Sequence, residues 1–294
     1  MDHSLQAFLK EEQDDLNHAL ISYIDTLDIP KQLNDSVLYS IHAGGKRLRP
    51  LLMKLTCIGL GGNEQRIYPA AVALEMIHTY SLIHDDLPAM DDDVYRRGQL
   101  TNHKKFDEAT AILAGDGLLT NSFHSISTSD LYSAEEKVEI ITKLALASGL
   151  EGMVAGQLLD MEAENEQISI EELENIHHLK TGRLISFAVE IGGYLAGVST
   201  EKMKVLKRFG DYLGIIFQIQ DDILDVEGDQ EVIGKKVGSD IENDKSTYPH
   251  LLGLEGAKTY KNNYVKEAMK CLEQVGLKGT KLEEITQYLS DRNQ

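Results

Sequence analysis

Four polar side chains share one face of an otherwise apolar stretch that runs from Tyr212 to Val226. Helical spacing places Gln218, Asp221, Asp222 and Asp225 at i, i+3, i+4 and i+7, so they form a single polar stripe. Two carboxylates about 5 Å apart at an effective dielectric of about 20 repel each other by roughly 3 kcal/mol. A chain that carries this stripe is therefore expected to fold so that a cation meets it.

A second acidic cluster, His84-Asp85-Asp86-Leu87-Pro88-Ala89-Met90-Asp91-Asp92-Asp93, ends a long apolar segment. Pro88 disfavours helix at the preceding residue, which predicts that Asp85 and Asp86 lie at or near a helix C-terminus. The helix dipole is unfavourable to anions there. Acidic clusters that contain little histidine suit a hard ion such as Mg²⁺ better than a soft metal.

Helical periodicity recurs along almost the whole chain, and strand signals are nearly absent. In the first half we expect helices from Ser4 to about Leu27, from a cap at Asn34 or Asp35 to Gly44-Gly45, from near Pro50 to Gly59–Gly62, from Pro69 onward, and from Ala109 to Ser127. In the second half, capping boxes at Ser133-x-x-Glu136 and Ser169-x-x-Glu172 open helices that run towards Asp160 and through Lys180-Thr181, and another helix spans Thr200 to Glu227.

Two loops complete this prediction. One of about twenty residues carries the first acidic cluster and Arg96-Arg97-Gly98, and loops of that length are usually functional or disordered. The other is rich in lysine and glycine and runs from Gly228 to Pro249, with shorter helices after it. The expected fold is an all-α helical bundle that forms a single domain over residues 1–294.

Composition limits the possible functions. The chain has 294 residues, 42% hydrophobic, and a net charge of 29 − 48 = −19, which argues against nucleic acid or an anionic membrane as a partner. Cys57 and Cys271 are too few for a disulfide framework or a zinc site, so a reducing compartment is expected. With no signal peptide and no apolar run of about 18 residues, we predict a cytoplasmic protein without stable membrane insertion.

Five ordered motifs resemble those of the trans-prenyl diphosphate synthases. The first acidic cluster with Arg96-Arg97-Gly98, and Asp221-Asp222-Ile223-Leu224-Asp225, resemble the two aspartate-rich motifs of that family. The motifs Gly44-Gly45-Lys46-Arg47-Leu48-Arg49-Pro50 and Gly234-Lys235-Lys236-Val237-Gly238-Ser239-Asp240 match as well. The spacing Asp-Asp-x-x-x-x-Asp resembles the bacterial farnesyl diphosphate synthase branch.

The resemblance implies a helical fold of the isoprenoid synthase type with a central active-site cavity, and a homodimer. It implies head-to-tail condensation of isopentenyl diphosphate with dimethylallyl or geranyl diphosphate to a C15 product, with several Mg²⁺ ions, for which Mn²⁺ could substitute. The implied metal ligands are Asp85, Asp86, Asp91, Asp221, Asp222 and Asp225. Lys46, Arg49, His78 and Arg97 would bind isopentenyl diphosphate, and Arg96, Lys180, Lys235 and Lys245 the allylic diphosphate. Thr181, Phe217 and Gln218 would lie around the reacting carbons, Phe217 either lining the isoprenoid pocket or filling core.

Product length is predicted from the helix that precedes the first acidic cluster. Tyr80 lies five residues before Asp85, or about 7.5 Å along a helix axis. In the resembled family a bulky side chain at this position looks like the floor that stops the growing chain at farnesyl length. Ser81 beside it is small and would block little. The alternative is an ordinary buried tyrosine.

The sequence fits several other functions less well. The calcium loop of an EF-hand and the P-loop spacing are both missing. Glu75-x-x-His78 and Glu174-x-x-His177 are two Glu-x-x-His pairs of the kind that build a ferritin-like di-iron site. A non-catalytic partner subunit would be expected to lack aspartates of one motif, and a terpene cyclase would carry a different second motif. Geranylgeranyl diphosphate is the alternative product.

Overall fold

The computed structural model describes residues 3–164, 166–227 and 246–292, and the fold within them is almost entirely helical. The helices of the first half are α1 (His3–Asp25), α2 (Lys31–His42), α3 (Leu48–Gly59), α4 (Tyr68–Asp85), α5 (Asn102–Lys105) and α6 (Glu108–Ser127). Those of the second half are α7 (Ala134–Ser148), α8 (Met153–Glu162), α9 (Ile170–His177), α10 (Arg183–Leu195), α11 (Thr200–Glu227), α12 (Tyr248–Leu252), α13 (Leu254–Val275) and α14 (Lys281–Asp291). The predicted all-α class is confirmed.

The start of α2 differs from the prediction. Neither Asn34 nor Asp35 caps this helix, because α2 begins at Lys31 with Pro30 as its N-cap residue. The Asn34 N–H donates to the Pro30 carbonyl at 3.0 Å, so it is already an interior helix group. Lys31 pairs with Asp35 one turn later at 2.5 Å. Pro30 precedes α2 and its carbonyl accepts the first helical hydrogen bond, so both polar residues lie inside the helix and cannot cap its start.

Both predicted capping boxes form, and helical structure continues from the second box through Lys180-Thr181, but the helix that follows the first box is shorter than expected. Ser133 and Glu136 exchange hydrogen bonds at 2.8 and 3.2 Å, and Ser169 and Glu172 form a complete box. The segment Gly149–Gly152 separates α7 from α8, so no single helix runs from Ser133 to Asp160. Two glycines in four residues weaken a helix interior, which explains the break.

The loop after the first acidic cluster contains a small β-hairpin that the sequence pattern did not predict. Strand β1 (Tyr95–Arg96) pairs antiparallel with β2 (Gln99–Leu100), and α5 follows at once. Arg97 and Gly98 form its two-residue turn with φ of +53° and +75°. Positive φ at both central residues is the type I′ geometry that suits a hairpin.

After the second predicted loop, Tyr248 and Pro249 open α12, and α13 is a long helix of 22 residues.

The chain groups into two compact units. Unit 1 comprises the described residues up to Lys54 together with Glu64–Ile141, and unit 2 comprises Leu55–Asn63 and the described residues from Thr142 onward. In unit 1 the buried α4 packs on α6, and in unit 2 α11 packs on α10 and α13. A single domain over the whole chain stays a prediction. None of the described helices combines the length and apolar character needed to cross a membrane.

Candidate active site

One face of α4 lines a solvent-open cleft, hereafter the unit 1 cleft. The side chains that α4 contributes are spaced three and four residues apart, as expected for one helix face. They are His78, Thr79, Leu82, Ile83 and Asp86. Arg47, Arg96 and Arg97 add three guanidinium groups to the lining. The fold thus brings together one predicted metal ligand and three predicted diphosphate-binding residues, His78, Arg96 and Arg97.

Asp86 caps the C-terminus of α4, as predicted, and its carboxylate is buried. Arg96 donates to Oδ1 of this carboxylate from Nε at 2.7 Å and from Nη2 at 2.6 Å. Burial raises the pKa of Asp86, Arg96 opposes that shift, and Asp93 and Asp91 reinforce it. The Asp86 carboxylate therefore lies in the field of further carboxylates, with an arginine to offset them.

The turn of the β-hairpin places Arg97 against Gly45. A Cβ atom built on Gly45 would lie 2.7 Å from Nη1 of Arg97, and Gly45 itself has a φ of +139°. The backbone conformation at position 45 strongly favours glycine, and a side chain there would displace the Arg97 guanidinium. Desolvation lowers the pKa of Arg97, Arg47 lowers it further, and Glu75 opposes the shift.

His78 is an uncharged group among these cations. Its Nε2 lies 3.3 Å from Nη1 of Arg49. Burial lowers the pKa of His78 well below its usual range, and Arg49, Arg97, Arg47 and Arg96 lower it further. The ring is therefore neutral near pH 7, and its Nε2 can accept the hydrogen bond from Arg49. Arginines collected around a neutral ring form a site for an anion.

The first acidic motif folds back on itself after α4. The Asp91 N–H donates to the Asp85 carbonyl at 2.9 Å, and Asp92 has a φ of +48°. The backbones of the first and last aspartates of the Asp-Asp-x-x-x-x-Asp motif are thus joined by a hydrogen bond.

Lys46, another predicted diphosphate ligand, is exposed and is not part of the lining of the unit 1 cleft.

Tyr80 is buried on α4, where its ring meets that of His84 edge-on with centroids 5.7 Å apart. Burial raises the pKa of Tyr80 to about 12, with a contribution from Asp85. The Ser81 hydroxyl donates to the His78 carbonyl at 3.0 Å, within its own helix. A bulky buried ring at position 80 is compatible with a floor for the product, and this role stays a prediction.

A second solvent-open cleft lies within unit 2 and is named the unit 2 cleft. Three residues predicted to act in the site, Lys180, Gln218 and Asp222, line it. Asp160 and Glu164 line it as well. Carboxylates therefore outnumber the lysine, so the described lining of this cleft is negatively charged.

Lys180 and Thr181 lie on a π-helical turn, His178–Gly182, which joins α9 to α10. Such turns recur at functional sites. A Cβ on Gly156 of α8 would lie 2.2 Å from the Lys180 backbone nitrogen, and a Cβ on Gly214 of α11 would lie 2.7 Å from the last residue of the turn. Glycine at both positions thus lets α8 and α11 pack directly on the turn.

Asp160 is a candidate residue that the sequence pattern did not reveal. Lys180 donates from Nζ to Asp160 Oδ2 at 2.6 Å, so the predicted diphosphate ligand is held by a carboxylate of α8. Its only signal in the sequence is a lone charge inside Leu158-Leu159-Asp160-Met161. That signal is weak, because a single carboxylate on a helix is usually a solvated surface group.

The second acidic motif lies on α11, where each aspartate has a different environment. Asp221 forms an ion pair with Arg292, which follows α14 and whose guanidinium lies 4.3 Å from the centroid of the Phe217 ring. Asp222 Oδ2 accepts a hydrogen bond from the Tyr248 N–H at 2.9 Å. Asp225 is half-buried. Phe217 thus stacks beneath a cation, a contact that sequence reasoning did not predict.

Two predicted diphosphate ligands, Lys235 and Lys245, lie outside the described residues. Within the described ranges, no group of three or more histidine, cysteine, aspartate or glutamate side chains is close enough together to hold a metal ion. The predicted ligands nevertheless suit Mg²⁺ in kind, because all of them are carboxylates with oxygen donors, and buried Asp86 lies in the field of Asp91 and Asp93.

The two Glu-x-x-His pairs have other partners in this structure. Glu75 accepts a hydrogen bond from Arg47 at 2.7 Å inside unit 1. Glu174 accepts hydrogen bonds from the Tyr260 and Tyr264 hydroxyls at 2.9 and 2.7 Å inside unit 2. These contacts explain both glutamates without iron, so the structure gives no support to a di-iron site.

Comparison with known proteins identifies the family of this chain. The family model described as polyprenyl synthetase matches residues 30–288, and the chain belongs to that family. The chain is 50% identical over 295 residues to the farnesyl diphosphate synthase of Bacillus subtilis, with 100% of each chain covered.

Solved structures give the same result for the fold. A geranyltransferase structure from Legionella pneumophila matches with a TM-score of 0.87 at 33% identity, over 98% of each chain. A Helicobacter pylori geranyltransferase, solved with magnesium and isoprenyl diphosphate, matches with a TM-score of 0.81 at 33% identity, over 98% of this chain and 96% of that one.

Proposed function

We propose that the protein is a Mg²⁺-dependent prenyltransferase that condenses isopentenyl diphosphate with dimethylallyl or geranyl diphosphate to farnesyl diphosphate. The observation that carries the proposal is the unit 1 cleft, where Asp86, Arg96 and Arg97 line one cavity. Membership of the polyprenyl synthetase family supports the reaction class. The 50% identity to a farnesyl diphosphate synthase over the full chain supports the C15 product.

The reaction begins when the allylic diphosphate leaves with the electrons of its carbon–oxygen bond, which creates an allylic cation. The double bond of isopentenyl diphosphate supplies the electrons of the new carbon–carbon bond, and a proton is then lost to the released diphosphate. Lys46, Arg49, His78 and Arg97 would hold isopentenyl diphosphate, and Arg96, Lys180, Lys235 and Lys245 the allylic diphosphate. Thr181 and Gln218 would lie at the reacting carbons. These groups contribute positioning, charge stabilisation and exclusion of water.

Six aspartates would hold the metal ions: Asp85, Asp86 and Asp91 of the first motif, and Asp221, Asp222 and Asp225 of the second. When bound, Mg²⁺ neutralises the diphosphate and makes it a better leaving group. The solved Helicobacter pylori geranyltransferase contains magnesium together with isoprenyl diphosphate, which supports the choice of ion. Mn²⁺ is expected to substitute because it shares the preference for oxygen ligands.

We propose a homodimer, with one apolar stripe of unit 2 in its interface. The stripe consists of Val154, Leu158 and Met161 on one face of α8, together with Leu150 just before this helix, and all four are exposed, Leu150 to 86%. Exposed apolar stripes of this kind mark protein interfaces. Sedimentation velocity should show a dimer for the native protein and a monomer for Val154→Glu.

A cytoplasmic location stays a prediction from the sequence.

The experiment that tests the catalytic proposal is incubation of the purified protein with isopentenyl diphosphate and each allylic diphosphate, with Mg²⁺ or with chelator. The expected result is a Mg²⁺-dependent C15 product. A C20 product would retain the reaction class and remove Tyr80 as the floor. Absence of product with every primer would overturn the proposal.

A further inference from the structure

Arg47 is the cation of the Gly44–Arg49 motif that the binding scheme above leaves without a role. Its side chain is buried, with 4% of the residue exposed, whereas the neighbouring Lys46 is exposed. Its φ is +48°, in the left-handed region that residues with a Cβ rarely adopt. A buried arginine in an uncommon backbone conformation requires specific partners, because an unpaired buried charge is strongly unfavourable.

The partners of Arg47 come from three helices of unit 1. Its Nε donates to Asn17 Oδ1 of α1 at 2.7 Å, and its Nη2 donates to the Ile41 carbonyl of α2 at 2.8 Å. Its Nη1 donates to Glu75 Oε2 of α4 at 2.7 Å. The Arg47–Glu75 ion pair is almost fully buried, with 3% and 5% of the two side chains exposed. The guanidinium therefore connects the loop to α1, α2 and α4.

The hydrogen bonds of the Arg47 guanidinium fix the backbone that leads into α3 on one side and the backbone at Gly45 on the other. On one side, the Leu51 N–H donates to the Arg47 carbonyl at 3.1 Å, so Arg47 provides the first acceptor of α3. The orientation of α3 in turn sets Arg49, whose Nη1 lies 3.3 Å from His78 Nε2. On the other side lies Gly45, against which the Arg97 guanidinium packs.

Glu75 also balances charge. Arg47 and Arg97 repel each other, and Arg96 and Arg49 add to the positive field at Arg97. Glu75 acts in the opposite direction on Arg97, and its carboxylate is bonded directly to Arg47. Cations can thus collect at the unit 1 cleft before any substrate anion arrives, because an internal carboxylate offsets part of their repulsion.

We propose that Arg47 and Glu75 form a positioning pair for the diphosphate of isopentenyl diphosphate. Arg47 holds the backbone that orients Arg49 and seats Arg97, and Glu75 balances their charge. All three nitrogens of Arg47 donate to protein groups, so its guanidinium acts on the cleft that it lines through Arg49 and Arg97. This inference rests on the proposed function, in which the unit 1 cleft binds that diphosphate.

The test compares Glu75→Gln and Arg47→Lys with the native protein. Glu75→Gln keeps the shape and a hydrogen-bond acceptor but removes the charge, and Arg47→Lys keeps the charge but loses the planar fork. Both variants should raise KM for isopentenyl diphosphate by about tenfold or more, while kcat and KM for geranyl diphosphate change by less than about threefold. Calorimetric titration with isopentenyl diphosphate alone should show the same loss of affinity.

Lys54→Met is the matched control. Lys54 is equally buried in unit 1 and pairs with Glu12 at 2.5 Å and Glu64 at 2.7 Å, so its loss removes a comparable ion pair. It should lower the melting temperature without changing KM for isopentenyl diphosphate. The double variant Arg47→Met/Glu75→Met leaves no unpaired charge and should recover part of the melting temperature of the single variants. Its affinity for isopentenyl diphosphate should stay low.

Two results would overturn the positioning role. One is an unchanged affinity for isopentenyl diphosphate in both single variants, and the other is an affinity that recovers with stability in the double variant. If the native protein makes no product, the proposed function fails, yet the titration still decides the present inference because it needs no turnover. A native protein that neither makes product nor binds isopentenyl diphosphate would overturn both.

Discussion

Among the described residues, three arginines and one aspartate line the unit 1 cleft, whereas one lysine and three carboxylates line the unit 2 cleft. The arginines Arg47, Arg96 and Arg97 surround a neutral His78, so the first cleft is suited to an anion as it stands. The carboxylates of the second cleft repel a diphosphate unless cations intervene. One protein thus contains a cleft whose arginines suit an anion and a cleft for which we propose that metal ions must offset the carboxylates.

The way each acidic motif holds its aspartates shows the same difference. Asp86 is bonded by Arg96, which lies ten residues away on the hairpin and also lines the unit 1 cleft. Asp221 is bonded by Arg292, which lies 71 residues away and stacks on Phe217. In unit 1 the arginine that neutralises the motif is thus a predicted substrate ligand as well. In unit 2 the corresponding arginine is outside the predicted substrate ligands.

The largest effect is expected from the second motif. Asp222→Asn removes a charge of the carboxylate-rich cleft and should lower kcat by about 10²- to 10³-fold, the usual loss for one group that stabilises transition-state charge. Affinity for isopentenyl diphosphate, measured calorimetrically, should be unchanged. Glu227→Gln, an exposed residue of the same helix that pairs with Lys258, is the control and should retain full activity. Loss of isopentenyl diphosphate affinity in Asp222→Asn would break the comparison.

Product length should depend on α4 of unit 1 rather than on α11 of unit 2. Tyr80→Ala removes the buried ring before the first acidic motif and should shift the product from C15 towards C20. Phe217→Ala removes a ring of similar size that stacks under Arg292, and it should leave product length unchanged. Chromatography of the hydrolysed products measures both. Unchanged products from Tyr80→Ala, or longer ones from Phe217→Ala, would contradict the assignment.

A smaller effect, on the free energy of unfolding, is expected when Arg292, the distant partner of Asp221 in unit 2, is removed. Arg292 has 5% of its side chain exposed, whereas its partner Asp221 keeps 42%. Arg292→Gln should therefore lower the free energy of unfolding by about 1–2 kcal/mol, through the lost stacking and the lost charged hydrogen bond. Urea denaturation measures this loss, and the exposed Arg208→Gln is the control. A stability equal to that of the native protein would show that this ion pair contributes nothing.

The smallest effect concerns the neutral histidine of unit 1. Burial lowers the pKa of His78, so below about pH 6.5 the unfolded chain binds a proton that the folded ring does not. The free energy of unfolding should therefore fall as pH decreases from about 6.5 towards the lowered pKa, by up to about 1.4 kcal/mol per pH unit. His78→Gln should reduce that fall in urea denaturation at about pH 7 and about pH 5.5. His250→Gln, on an exposed residue, is the control. Equal pH dependence in the native protein and His78→Gln would refute this explanation.

Local signals allowed much of the fold and part of the site to be predicted. Pro69, the two capping boxes and the proline after Asp85-Asp86 each act within one or two helical turns, so the sequence alone defines their effect. The hairpin was missed because its type I′ turn has Arg97 at φ +53°, where asparagine or glycine is the usual signal. The break between α7 and α8 was missed because the glycines lie inside a continuous apolar pattern.

Contacts between distant segments were beyond sequence reasoning. Asp160 pairs with Lys180 across a π turn, and Arg292 pairs with Asp221 across 71 residues. Only tertiary packing brings such groups together, and the spacing of residues in the sequence does not predict these pairs. Arg47 shows a further limit of prediction from sequence. The motif identified Arg47 only as one of several cations and did not indicate which of them is buried. Its burial and its bond to Glu75 separate it from the exposed Lys46.

The contrast between the two clefts is tested most directly by binding measurements in the presence and absence of metal. Isopentenyl diphosphate and the non-ionising analogue dimethylallyl thiolodiphosphate would each be titrated into the protein with Mg²⁺ and with chelator. We predict that removal of Mg²⁺ changes the Kd of isopentenyl diphosphate by less than about threefold and weakens the allylic analogue by at least about tenfold. An equal dependence on metal for both ligands would contradict the account.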